Sequence, residues 1–185
     1  MLYTRRNNQV VTKYKQHVKT MDISSIYPDD SGYIFDSMVE SMDSLFLVKT
    51  ADTERLAEQL SNYQYLTGRA AYRWHAHSGI KRFDLQHIIL PNTQQLIDAL
   101  YHISNSPHFG IFLFTGFDKM LFSPMTDSVV QHFLESARAQ RKYIIFADAD
   151  PAIPSSMQHQ IVNLNVPTGD KSQNSDIRTS YLYSK

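Results

Sequence analysis

Two histidines one residue apart, His75 and His77, are the first side chains in this sequence whose type and spacing suit chemistry. On an extended strand, residues two apart face the same side, and imidazoles are common ligands of transition metals. Asp118, Asp148 and Asp150 follow apolar runs and would bring oxygen ligands to the same edge, where open α/β sheets gather their functional groups. That constellation describes a metal-dependent enzyme. Each member also has a plainer role. Asp118 precedes Lys119 and suits a local ion pair, Asp148 and Asp150 suit capping of the turn into Pro151, and the two histidines are two of eight. Ser78, Ser123 and Ser128 stand in no G-x-S-x-G elbow. The plainer roles are preferred, so the expected catalytic, metal and cofactor-binding residues are none. His75, His77, Asp118, Asp148 and Asp150 are kept as weak site candidates, and Phe117 and Phe122, two aromatics in one predicted loop, as contact residues.

Phosphate chemistry would need another pattern. A phosphate loop has the frame G-x-x-x-x-G-K-[ST], because glycines let backbone N–H groups converge on phosphate and the lysine adds charge. The six glycines stand at 32, 68, 79, 110, 116 and 169, and no pair has that frame. Thr168-Gly169-Asp170-Lys171-Ser172 follows the last predicted strand and has no helical pattern behind it. Between the first strand and its helix, where the loop belongs, the chain reads Lys49-Thr50-Ala51-Asp52. Every residue there carries a Cβ, and Asp52 can take the first N–H groups of the helix with its own carboxylate. After the strand that would hold magnesium, Thr115-Gly116-Phe117-Asp118-Lys119 offers one acid where two are needed. ATP binding and hydrolysis are therefore not expected.

The elements that must position these residues alternate. Residues 45–48 form an apolar first strand, and a helix starts near Asp52, shows Leu56, Leu60, Tyr63 and Leu66 on one stripe, and ends at Gly68. Before them, Ile34, Phe35, Met38, Val39 and Met42 share the spacing of one helix face, following a turn at Tyr27-Pro28-Asp29-Asp30-Ser31-Gly32. Residues 69–74 are a second strand, with His75-Ala76-His77-Ser78-Gly79 as the loop after it, and residues 80–90 give no clear element. Pro91-Asn92-Thr93 opens a helix with Leu96, Ile97, Leu100 and Ile103 on one side. Residues 110–114 and 142–147 are continuous apolar runs, as in strands covered on both faces, joined by a loop to Met125 and a helix capped by Thr126 or Asp127. Residues 161–166 are a fifth strand. The pattern implies an α/β domain with a mainly parallel sheet and helices on both faces. Residues 1–32 read as a polar and basic extension, 33–167 as the domain, and 168–185 as a flexible tail.

Composition limits the partners. Lys plus Arg and Asp plus Glu number 18 each, so no global field favours nucleic acid or an anionic membrane. A nucleotide- or nucleic-acid-binding module built on Lys13, Lys15, Lys19, Arg69, Arg73, Lys81 and Arg82 is the alternative that this balance opposes. With no cysteine there is no disulfide or thiolate chemistry, and no apolar run approaches the roughly 18 residues of a membrane helix. The cytoplasm is the expected location.

Four stretches carry a resemblance. They are Leu45-Phe46-Leu47-Val48-Lys49-Thr50 with the acidic helix start at Asp52, Gly68-Arg69-Ala70-Ala71-Tyr72-Arg73-Trp74 with Ser78-Gly79-Ile80, Ile111-Phe112-Leu113-Phe114, and residues 142–147 followed by Ile153-Pro154 and residues 161–167. In that order they resemble the AAA+ ATPase core, and more narrowly the N-terminal AAA-like domain of chloroplast and bacterial AAA ATPases, which lacks a P-loop. The resemblance implies a P-loop NTPase-like three-layer sandwich with a five-stranded sheet in the order 5-1-4-3-2. It also implies no cofactor, and a module that works by binding another protein, either an ATPase subunit or the rest of a longer chain.

Overall fold

A computed structural model of the chain describes residues 31–116, 124–151 and 158–166. The expected N-terminal extension lies outside them up to residue 30, as do residue 167 and the expected tail, residues 168–185. Helix α1 (Ser31–Glu40) leads into strand β1 (Leu45–Lys49), and helix α2 (Thr53–Thr67) into β2 (Ala71–His75). Two short strands follow, β3 (Gly79–Arg82) and β4 (Leu85–Ile89). Helix α3 (Leu96–Asn105), β5 (Gly110–Thr115), helix α4 (Pro124–Gln140), β6 (Lys142–Asp148) and β7 (Val162–Asn163) complete the domain.

The sheet has seven strands in the order β4-β3-β2-β5-β6-β1-β7, which corrects the expected five-stranded sheet. β7, β1, β6, β5 and β2 lie side by side and parallel. β3 and β4 add an antiparallel hairpin at the β2 edge, which the five-strand reading lacked. Their pattern is hard to read because the hairpin is shallow. β4 leaves Leu85, Ile88 and Ile89 exposed, and a register shift at Lys81/Arg82 breaks the alternation.

Strand alternation splits the core in two. One face of the sheet, with Leu45, Trp74, Ile80, Phe112, Phe114, Ile144 and Phe146, packs on Leu96, Ala99, Leu100 and Ile103 of α3 and on Val130, Phe133 and Ala137 of α4. On the other face Tyr143 packs on Phe46 and its hydroxyl donates to the Val39 carbonyl of α1, while Phe35 of α1 packs on Tyr63 of α2. α1 and α2 are tied further by a polar cluster. Tyr63 Oη and Arg69 Nη1 both donate to Asp36 Oδ1 at 2.7 Å, and Arg69 Nη1 also donates to Tyr63 Oη. Burial, and then the Asp36 carboxylate, push the Tyr63 phenol well above its usual range.

Several expected boundaries move. Ser31 and Gly32 belong to α1 rather than to a turn, and Met42 falls beyond the helix and is exposed. Leu66 is exposed rather than part of the buried stripe. α3 starts at Leu96, because Asn92 takes φ +56° and Thr93 is held in the core instead of opening the helix. α4 starts at Pro124, two residues before the expected cap, since a proline in the first turn sacrifices no helical N–H. Only Val162 and Asn163 of the fifth strand pair with β1, and Leu164 N then donates to Leu47 O at 2.8 Å.

Candidate functional site

The carboxyl ends of the parallel strands meet the start of α2. The β1–α2 turn holds itself closed. Thr50 N donates to Asp148 O at 2.9 Å, joining the tips of β1 and β6. Asp52 N donates to Thr50 Oγ1 at 3.0 Å, and Asp52 Oδ1 accepts Arg55 N at 3.0 Å. Asp52 is the N-cap of α2, and Gly68 ends the helix in the left-handed conformation, its N–H donating to Gln64 O. A helix start offers a handful of unpaired N–H groups and a positive field to an anion. Here one of those groups is taken by a side chain, and the negative charge already sits in that field.

Among the described residues, His75, His77, Asp148 and Asp150 are not brought together. His75 ends β2, and its ring lies over Gly116, where a Cβ would come within 2.5 Å of Nε2. His77 stands in the following turn at φ +65°, which ends the strand alternation that would have aligned the two rings. Asp148 is two strands away from β2, about 10 Å by strand spacing. Its Oδ1 accepts Asp150 N at 3.0 Å, the turn-capping role. Among the described residues, no group of three or more His, Cys, Asp or Glu side chains could hold a metal ion. Phe117, Asp118 and Phe122 lie outside the described residues, as do Lys13, Lys15 and Lys19.

The geometry instead assembles a basic pocket beside that edge. Arg73 of β2 stands directly opposite Lys81 of β3, and His75 opposite Gly79. With Ser78, Arg82 and Phe83 these residues line a pocket of about 360 Å³. Arg73 is fixed from two sides. Its Nη1 and Nη2 donate to Glu54 Oε2 at 2.7 Å and Oε1 at 2.5 Å, and its Nε donates to Thr115 Oγ1 at 3.3 Å. Arg82 Nε sits 2.8 Å from Asp84 Oδ1, close enough for charge attraction but off the line of a hydrogen bond. In the sequence Arg73, Lys81 and Arg82 belong only to a diffuse basic set, and nothing local marks Glu54 as their partner. The signal was present in His77-Ser78-Gly79, a turn that folds Lys81 back beside Arg73.

The hydrogen bond from Arg73 holds the Glu54 carboxyl below its ordinary 4.5, against the opposing effect of burial. Glu54 is largely exposed, so Glu54→Gln is expected to cost less than about 1 kcal/mol at neutral pH. A carboxyl with a lowered folded-state pKa stabilises above its unfolded value and loses that contribution as pH falls through the folded one. Urea melts of wild type and variant are therefore expected to draw together as pH falls below 4.5 and through the lowered folded-state value. A gap that does not narrow with falling pH would assign the loss to packing instead.

A family model described as SpoVK-like AAA ATPase, N-terminal domain, matches residues 33–166. Comparisons with curated proteins and with solved structures give no match.

Proposed function

As the chain belongs to the SpoVK-like AAA ATPase N-terminal domain family, we propose that it is a non-catalytic AAA-like module that works by binding another protein. The partner is an ATPase subunit or the rest of a longer chain, and the setting is the cytoplasm. One observation carries this reading. The β1–α2 turn has no glycine, and Asp52 caps α2 where a phosphate would bind. A carboxylate there repels a nucleotide. At about 4 Å and an effective dielectric near 20, each pair of unit charges costs about 4 kcal/mol before screening. The exposed Tyr65 and Leu66 at the end of α2, and Tyr33 on α1, supply apolar contact area of the kind protein partners cover. No helix among the described residues is long and apolar enough to cross a membrane.

The test is a calorimetric titration with ATP and magnesium, read in parallel from the backbone amides of residues 50–55 by NMR. No shift at those amides is the expected result. A dissociation constant below about 100 μM, more than about 5 kcal/mol of binding, with shifts at residues 50–55 would overturn the non-catalytic reading. Affinity capture from the native host is expected to recover an ATPase-bearing protein, and capture of nothing would remove the partner half of the proposal.

A further inference from the structure

We propose that the pocket over the β2–β3 hairpin is a binding site for a phosphomonoester. Arg73 and Lys81 are directly opposed cross-strand neighbours. Like charges in that position repel and destabilise a sheet. Glu54 relieves Arg73 through the two-pronged contact at 2.7 and 2.5 Å, and Asp84 stands beside Arg82. Lys81 has no ion pair or side-chain hydrogen bond among the described residues, so the hairpin carries one cation more than its carboxylates balance.

The donors suit a tetrahedral oxyanion. Arg73 is pre-oriented by Glu54 and Thr115 and still keeps one N–H on each Nη. Lys81 brings a freely turning ammonium from the next strand, and Ser78 and His75 add polar groups at the turn. Three or more donors approaching from two strands fit a group with three terminal oxygens better than a planar carboxylate with two. A volume of about 360 Å³ exceeds a bare ion and lies at the small end of ligand sites. The phosphate could belong to a small metabolite or to a phosphorylated side chain of a protein, and the chemistry recognised is the same. The site adjoins the start of α2 through Glu54 but is lined by the hairpin and not by the turn at residues 50–52, so it stands or falls independently of the non-catalytic reading.

The full chain is titrated at constant ionic strength with inorganic phosphate, glucose 6-phosphate, a phosphoserine tripeptide and sodium chloride. Amide shifts and melting temperature are followed. Saturable shifts at residues 73–83 and a rise in melting temperature are expected with the phosphates and not with chloride. Lys81→Gln is expected to weaken phosphate binding at least fivefold while melting no lower than wild type in phosphate-free buffer, and Lys81→Arg to retain binding. Tighter binding of the sugar phosphate assigns a metabolite, and tighter binding of the peptide a phosphorylated partner. Either outcome upholds the site. Shifts equal to those in chloride, shifts centred on residues 50–52, or a Lys81→Gln protein that binds as tightly as wild type would overturn it.

Discussion

Gly79→Ala is expected to lower the melting temperature by about 10 °C, against about 3 °C for Gly68→Ala, although the two glycines share a left-handed backbone. Their φ angles are +79° and +69°. A left-handed non-glycine residue costs roughly 1–2 kcal/mol at either place. The surroundings then separate them. A Cβ at Gly68 meets nothing within 4 Å, whereas one at Gly79 comes to 2.7 Å from Thr93 Oγ1. Thr93 is fully buried and cannot swing away. Its Oγ1 accepts Ile80 N at 2.9 Å and donates to Leu90 O at 2.7 Å, and its carbonyl accepts Trp74 Nε1 at 2.7 Å. Displacing that hydroxyl adds overpacking of about 1–3 kcal/mol and exposes a buried N–H to a loss of similar size. At about 2–4 °C per kcal/mol for a chain of this length, the two variants should be easily distinguished by circular dichroism. Equal shifts would mean that the Thr93 network yields at no cost. Gly79 also lines the basic pocket, so Gly79→Ala is expected to blunt the response to phosphate while Gly68→Ala leaves it intact.

Thr93 also shows where the sequence could be read and where it could not. Pro91-Asn92-Thr93 has the composition of a helix start, and local chemistry alone favours that reading. The indole of Trp74 and the N–H of Ile80 claim the threonine instead, and neither is local in sequence. The parallel strands were legible because residues 110–115 and 142–147 are buried on both faces and announce themselves as apolar runs. The hairpin was not, since its strands are four and five residues long, half exposed and out of alternation at Lys81/Arg82. The same gap hid the pocket. Without β3, Lys81 has no reason to stand beside Arg73, and two cations eight positions apart read as scattered charge. The Asp52 cap was the opposite case, because an N-cap is set within three residues and needs no tertiary information. His75 and His77 failed as a pair for a conformational reason: a left-handed residue at position 77 ends the strand geometry on which the two-residue spacing relied.

The other large effect is expected at Lys142. It starts β6 with a fully buried side chain, an unusual position for an ammonium. Its Nζ donates to Ile103 O at 2.5 Å and to Ser104 O at 3.0 Å, the closing carbonyls of α3. The last carbonyls of a helix have no partner within it and form the negative end of its dipole. Lys142 therefore ties the end of α3 to the sheet and adds a charged donor to two carbonyls whose other partners are long, Ser106 N to Ile103 O at 3.2 Å and Ser136 Oγ to Ser104 O at 3.4 Å. Truncation leaves both acceptors with only those longer bonds and opens a cavity. With about 1.5–3 kcal/mol for hydrogen bonds made by a charged donor and a comparable amount for lost packing, Lys142→Ala is expected to cost about 4 kcal/mol in urea denaturation. Lys142→Met fills most of the space without donating, so it should recover the packing share and keep the polar loss, about 2 kcal/mol. Burial pushes the Lys142 pKa below its ordinary 10.5. The unfolded chain then binds that proton more tightly than the folded one, so wild-type stability relative to Lys142→Met should rise with pH between the lowered value and 10.5. A methionine variant as stable as wild type at neutral pH would show that Ser106 N and Ser136 Oγ satisfy the two α3 carbonyls unaided, and a pH-independent difference would place the whole effect of Lys142 in packing.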